Sequence, residues 1–228
     1  MIEKEYQVLD KGFIRLDGYY ADDISVVNSA RVSYGKRVTS VNESDKNLIR
    51  YLIENKHGTP FEHNFFRFHI KAPIFVAREW FRHRISSFNE MSMRYHSPDL
   101  EFYLPETLRT QVGKPGAYVF EDIDYDSHYT EQSRSLMNDH FEYSKNLYEH
   151  FVETGLAKEL SRIVVPVSAY TEFYWSVNAR SLMNFISLRN SPHAQHEIRE
   201  YAIVVEEMFK TVMPITAEAW INNERVAP

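Results

Sequence analysis

The chemistry in this chain is densest between Arg82 and Tyr95. Arg82, His83, Arg84, Ser87, Asn89, Glu90, Ser92 and Arg94 fall inside that stretch, with no glycine or proline among them. A guanidinium offers its N–H donors in a planar fork that matches a phosphate or carboxylate two bonds at a time. Serine and asparagine add short directional hydrogen bonds, while the lone carboxylate can only accept. Three arginines against one glutamate, mixed with hydroxyls and an amide, describe a pocket for a polar anion. The competing description is a charged surface turn or a salt-bridged knot between helices.

A second basic cluster holds Asn178, Arg180, Asn184 and Arg189. Arg180 and Asn184, four apart, share a helix face, whereas Arg189 is five beyond Asn184. Asparagine is a poor helix former, so Asn184 at helical spacing from Arg180 stands against a routine solvated face. Whether the two clusters meet within a subunit or across an interface is open. His193, His196 and Glu197 offer metal-ligand types, but His-Glu-x-x-His is missing. Structural or ligand-contacting roles are simpler for these imidazoles, as for His57 and His63, and no metal is expected. Ser87 and Ser92 lie near His83 without a Gly-x-Ser-x-Gly elbow. Hydroxyls beside arginines are better suited to binding phosphate than to nucleophilic attack.

The 228 residues carry a net charge of −6, with 43% hydrophobic, 25% charged and 14% aromatic residues. These are values of a soluble globular protein, and the acidic balance argues against a general nucleic-acid binder. Any anion site must be a local basic pocket. Cysteine is absent, which removes disulfides, zinc–thiolate sites and thiolate nucleophiles together. No apolar run reaches about eighteen residues, and the N-terminus lacks the build of a secretion signal; a cytoplasmic location is expected. Seven glycines form neither a Gly-x-Gly-x-x-Gly turn nor a Walker loop, so a nucleotide must be held by arginines and helix N-termini.

A mixed set of elements has to position these groups. Alternation over residues 8–20 predicts a strand or hairpin. Phe66, Phe68 and Ile70, opposed by Arg67, His69 and Lys71, predict a strand over 61–72. Pro73 suits the first turn of a helix over 74–84, which delivers the arginine-rich loop. Asp22-Asp23 opens a helix to Tyr34, and Ser44-Asp45 caps another that ends near His57. Further helices are expected over 129–154 (Leu136, His140, Leu147 and Phe151 inward), 157–164, 178–189, 194–213 and 215–225. Residues 101–104 and 170–177 read as strands, and 105–127 as irregular, ending in an acidic run over 121–126. Helices outnumber strands, which points to an α+β fold: a small antiparallel or mixed sheet packed with several long helices, in a single domain over residues 1–228.

The order Arg82-His83-Arg84, Ser87, Asn89-Glu90, Ser92, Arg94-Tyr95 resembles the signature of the flavin-dependent thymidylate synthases at every fixed position. The likeness extends to Ser29-Ala-Arg31-Val-Ser33-Tyr34, His57-Gly-Thr59-Pro-Phe-Glu62-His63, the segment 72–81, Arg162-Ile-Val-Val-Pro166, Asn178-Ala-Arg180-Ser-Leu-Met-Asn184, Leu188-Arg189 and His193-Ala-Gln195. The resemblance implies reductive methylation of dUMP to dTMP. Methylenetetrahydrofolate would supply the carbon, and NADPH a hydride through bound FAD. The missing cysteines agree, because the unrelated thymidylate synthase attacks the uracil ring with a thiolate. A homotetramer with active sites between subunits is also implied.

By position, the family's FAD contacts fall on Thr59, Arg82, His83, Arg84, Ile85, Glu90, Asn178, Ala179, Arg180 and Asn184. Its dUMP contacts fall on Glu79, Trp80, Phe81, Arg82, Glu90, Met91, Ser92, Met93, Arg94, Arg162 and Arg189, with Ser92 and the arginines on the phosphate. Arg78 and Tyr95 lie close by. Arg189 matches the arginine that ionises the uracil at ring nitrogen 3; a fixed guanidinium stabilises that anion without losing its own proton. One position departs: the family carries glutamine where this chain has Glu79, and a carboxylate there needs Arg78 or Arg82 to neutralise it. From other classes, a single-stranded RNA-binding module predicts steeply salt-dependent binding. A structural oligomer with a salt-bridged interface predicts neither that nor a flavin.

Overall fold

The computed structural model describes residues 3–114, 117–123 and 127–228. Strands and helices interleave as β1 (Glu5–Val8), β2 (Gly12–Tyr20), α1 (Asp23–Arg31), α2 (Glu43–Glu54), β3 (Phe65–Pro73), α3 (Ile74–Trp80), β4 (Ser87–Glu90), β5 (Arg109–Lys114) and β6 (Ala117–Asp122). They continue as α4 (Ser127–Glu153), α5 (Lys158–Ser161), β7 (Tyr170–Asn178), α6 (Ala179–Arg189), α7 (His196–Val212) and α8 (Pro214–Asn222). Among the described residues, one antiparallel sheet has the order β1-β2-β3-β7-β4, and β5-β6 is a separate hairpin. The fold is α+β.

Alternation along β3 is as its sequence predicts: Phe66, Phe68 and Ile70 are buried, whereas Arg67 is exposed and His69 and Lys71 are half-buried. β7 pairs with it so that Phe68 lies opposite Trp175 and Ile70 opposite Phe173, and both strands turn aromatic rings to one side. Trp80, at the end of α3, is fully buried against that side. Its ring stacks on Phe185 of α6 at 4.7 Å and meets Trp175, Phe173 and Tyr201 edge-on at 5.3, 5.5 and 5.8 Å. Each such pair adds about 0.5–1.5 kcal/mol beyond area burial. One wide side chain therefore fixes α3 against the sheet, α6 and α7 together.

The structure differs from the sequence expectations in several places. α3 stops at Trp80 because the N–H groups of Arg82 and His83 bond the Glu79 and Trp80 carbonyls three residues back, tightening the final turn. The arginine-rich stretch is not all loop: its centre is β4, on the sheet edge beside β7. Segment 105–127 holds the β5-β6 hairpin (residues 124–126 of the acidic run lie outside the described residues), whereas 101–104 is reduced to one bridge, Phe102 to Ala169. On α4, His140 is exposed and Leu136 is 63% exposed. Ser144 and Tyr148 are buried there instead, since the later turns pack on Leu100, Phe102 and Ala169. Asn42, not Ser44, caps α2, in a reciprocal box with Asp45.

Candidate active site

Arg189 ends α6, one turn beyond Phe185, so the two side chains share a face. Phe185 stacks on Trp80 and meets His83 edge-on at 4.9 Å, which lays the last turn of α6 against the end of α3. Arg189 donates from Nε to His83 Nε2 at 3.1 Å, from Nη1 to Glu79 Oε2 at 3.0 Å, and from Nη2 to the Glu79 carbonyl at 3.2 Å. The Glu79 carbonyl lies at the negative end of the α3 dipole, where a cation is favoured, and it accepts from Arg189 in addition to the Arg82 N–H. The end of α3 is thus a natural seat for a cation. Among the described residues this leaves one N–H on Nη1 and one on Nη2 for a further acceptor.

The surroundings set the protonation states. Burial, reinforced by the Arg189 charge, lowers the His83 imidazole to about 4. Burial pushes Glu79 above the usual carboxylate value; Glu197 reinforces this and Arg189 opposes it. Burial also acts on Glu197, but hydrogen bonds from Arg109 at 2.6 Å and Gln195 at 2.9 Å hold it below the usual value.

Two cavities meet at Arg189. One, of about 660 Å³, is lined by Arg82, His83, Arg84 and Ile85 from the turn after α3 and by Arg180, Asn184, Leu188 and Arg189 from α6. The other, of about 860 Å³, runs from Glu79 and Arg189 to Arg109, Tyr118, Phe120, His193 and Gln195. The two clusters are therefore joined in the first cavity by a single chain. Gly58 lies under Arg180: a Cβ there would stand 2.7 Å from Arg180 Cζ, so glycine is what lets that side chain approach. Arg180 also donates to Glu62 and to the Pro228 carbonyl, each at 2.6 Å.

The remaining candidates divide. The Asn178 side chain caps α6 by accepting from the Ser181 N–H at 2.9 Å. Ala179 and Trp80 are buried, and their backbones are engaged: the Ala179 N–H donates to the Asn64 carbonyl at 2.8 Å, and the Trp80 carbonyl accepts from the His83 N–H at 3.0 Å. Phe81 is half-buried against Phe88 and Phe173, and Thr59 is exposed in the short turn before β3. Glu90 accepts from Thr171 at 2.9 Å, the Met91 N–H bonds the Glu172 carbonyl, and Arg94 reaches Ser92 Oγ at 3.4 Å. Met93 packs on the cluster around Tyr148. Arg162 is exposed and donates to the Glu159 carbonyl at 3.3 Å. Arg94 and Arg162 line neither of the two cavities.

The partner of Glu79 is Arg189, not Arg78 or Arg82, which are both exposed or nearly so and make no ion pair with it among the described residues. The Arg109–Glu197 ion pair was not visible in the sequence, because Arg109 lies in the segment expected to be irregular and its neighbours give no signal. His193 lines the second cavity and His196 stands 3.7 Å from Glu200. Among the described residues no three such ligands converge.

An α+β chain that gathers four guanidiniums around one cavity, with no thiol and no glycine cradle, has the side chains to bind a polar anion through arginine. Residues 16–215 match the family model described as thymidylate synthase complementing protein, and the chain belongs to this family. It is 51% identical over 220 residues to the flavin-dependent thymidylate synthase of Thermosipho melanesiensis, covering 96% of this chain and 94% of that one. A Thermus thermophilus relative of the same name is 44% identical over 217 residues, covering 95% and 77%. Among solved structures, the UMP/dUMP methylase PolB from Streptomyces cacaoi bound with 5-Br UMP superposes with a TM-score of 0.85 at 36% identity, covering 97% of this chain and 99% of that one. Membership of an enzyme family displaces the RNA-binding and purely structural readings.

Proposed function

We propose that this protein is a flavin-dependent thymidylate synthase that methylates dUMP to dTMP, taking carbon from methylenetetrahydrofolate and reducing equivalents from NADPH through FAD. The observation that carries this reading is Arg189, pinned on three nitrogens at the junction of two cavities with two N–H groups to spare. The residues of the first cavity fit FAD: Arg82, Arg84 and Arg180 offer positive charge to a pyrophosphate, and Ile85 and Leu188 offer apolar surface to a flat ring. His83 and Asn184 line the same cavity, and Thr59, Glu90, Asn178 and Ala179, which do not line it, are proposed contacts by the family resemblance alone. When bound, the flavin supplies hydride.

The chain's own task is to hold and polarise the pyrimidine. The free N–H groups of Arg189 suit ring nitrogen 3 and an adjacent carbonyl oxygen, and the positive charge favours the anionic ring. Electron density then rises at carbon 5, where the new bond forms. No side-chain nucleophile is needed, and the chain has no cysteine to serve as one. Ser92, Arg94 and Arg162 are the proposed phosphate contacts. Since they stand apart from the Arg189 cavity, a second copy presents them, in a homotetramer with sites between subunits. Exposed Tyr95, Leu160 and Ile163, large apolar residues beside Arg94 and Arg162 in sequence, suit such a contact. The chain acts as a single domain in the cytoplasm; among the described residues no helix is long and apolar enough to cross a membrane.

Purified protein should be yellow, or become so with added FAD, and should release tritium from dUMP labelled at carbon 5. Arg189→Ala should retain flavin while turnover falls by about 10²–10³-fold, the scale for losing one oriented transition-state donor. Protein that stays colourless and inactive with FAD would overturn the reading.

A further inference from the structure

We propose that Glu79 is the positioning residue for Arg189: its carboxylate clamps the guanidinium in the orientation that faces the substrate, and the clamp loosens when Glu79 takes up a proton. This deepens the reading above and rests on it.

The clamp is visible in the contacts. Glu79 grips both terminal nitrogens of Arg189, with Oε2 on Nη1 at 3.0 Å and its carbonyl on Nη2 at 3.2 Å, while His83 holds Nε at 3.1 Å. A guanidinium engaged at all three nitrogens cannot turn about its last torsions, so its two spare N–H groups keep one direction. Left alone, an arginine at a helix end samples many rotamers. Electrostatic assistance is strongest when the charge is already in place as the reaction begins. The grip also opens on a cavity large enough for a ligand, because Glu79 and Arg189 both line the second one.

The groups that face Glu79 explain why the clamp responds to protons. Arg189 of α6 attracts the carboxylate, and Glu197 of α7 repels it. Glu197 stays charged because Arg109 of β5 and Gln195, just before α7, donate to it. His83, on the turn that follows Glu79, is neutral above a pH of about 4. Burial and Glu197 together raise Glu79 above the ordinary glutamate value. The clamp is therefore fully charged on the alkaline side of that raised value and lost as pH falls through it. Protonated Glu79 can still accept from Arg189, but without the charge that makes the bond strong. A glutamine at this position would accept in the same way with no proton to gain.

The test compares Glu79→Gln and Glu79→Ala with wild type, reading kcat, KM for dUMP, flavin absorbance and the pH profile of tritium release. Glu79→Ala should lower kcat by about tenfold or more, the scale of a lost charge-assisted hydrogen bond, with flavin absorbance retained. Glu79→Gln should fall between that variant and wild type, and its profile should lack the acid limb that Glu79 gives wild type. Wild-type kcat in Glu79→Ala, or an unchanged acid limb in Glu79→Gln, would overturn the clamp. Should the alanine variant fail to fold, the glutamine profile decides alone. Arg189→Ala, assayed in parallel, separates the two levels: if it releases tritium at the wild-type rate, the proposed function fails. If it is inactive while the Glu79 variants behave as wild type, only the clamp fails.

Discussion

Arg189 and His83 are joined by a hydrogen bond of 3.1 Å from Nε to Nε2. An N–H aimed at Nε2 requires a lone pair there, so the imidazole is neutral and carries its proton on Nδ1. An imidazolium would set two donors against each other beside a fixed positive charge. Burial and that charge accordingly lower His83 from 6.5 to about 4.

This pairing makes stability depend on pH in a defined window. Between pH 6.5 and about 4 the unfolded chain holds a proton on His83 that the folded chain refuses. Where the unfolded state binds more protons, stability rises with pH. His83 thus removes stability as pH falls through that window and has no effect above it. In His83→Gln the amide oxygen can accept from Arg189 without titrating. Its denaturant midpoint should decline less than that of wild type between about pH 7 and about pH 4.5, a span that covers most of the window. Parallel declines would refute the assignment.

Gly58 and Arg180 define a second measurable relationship. The φ of Gly58 is −72°, so alanine meets no backbone obstacle there. The obstacle is Arg180, with Cζ and Cδ at 2.7 and 2.8 Å from the position a Cβ would take. Gly58→Ala should push the guanidinium out of the first cavity and cost a charge-assisted contact of about 1.5–3 kcal/mol. Flavin affinity, titrated by fluorescence on flavin-stripped protein, should fall by roughly ten- to a hundredfold. Arg180→Ala should show the same loss, and the double variant little more than either alone. Additive losses would mean that Gly58 acts elsewhere.

What could be read from the sequence follows the range of the interactions involved. The burial of Phe66, Phe68 and Ile70 and the shared face of Arg180 and Asn184 depend on residues a few positions away, so local periodicity exposes them. The arginine-rich stretch is legible because its residue types are unusual together. The Glu79–Arg189 pair is not legible, because it depends on Trp80 stacking on Phe185 and no local period encodes that contact. The β5-β6 hairpin escapes for a different reason: Arg109–Lys114 is polar and largely exposed, so no apolar alternation marks it as strand. Leu136 looks inward by spacing, yet its part of the 27-residue α4 lies beyond the surface on which the later turns pack.

Asp23 makes a tertiary cap whose removal should be costly. α8 begins with Pro214, which has no N–H, and Met213 before it gives no side-chain cap. The first free donors are the N–H groups of Ile215 and Thr216, and both are met by Asp23 of α1, at 3.0 and 2.8 Å; the Thr216 hydroxyl adds a third bond at 2.6 Å. Asp23 and Thr216 are buried, so water cannot readily replace the lost acceptor. Asp23→Ala leaves these donors unpaired, at about 1–3 kcal/mol for each group deprived of its partner. A loss of roughly 3 kcal/mol by urea denaturation is expected, well above the half-kilocalorie scale of ordinary surface changes. Thr216→Val removes one hydroxyl bond while leaving both N–H groups capped, and should lose about 1 kcal/mol. If the two variants were equally stable, the backbone caps would contribute nothing, and the link from α1 to α8 would have to rest on apolar packing alone.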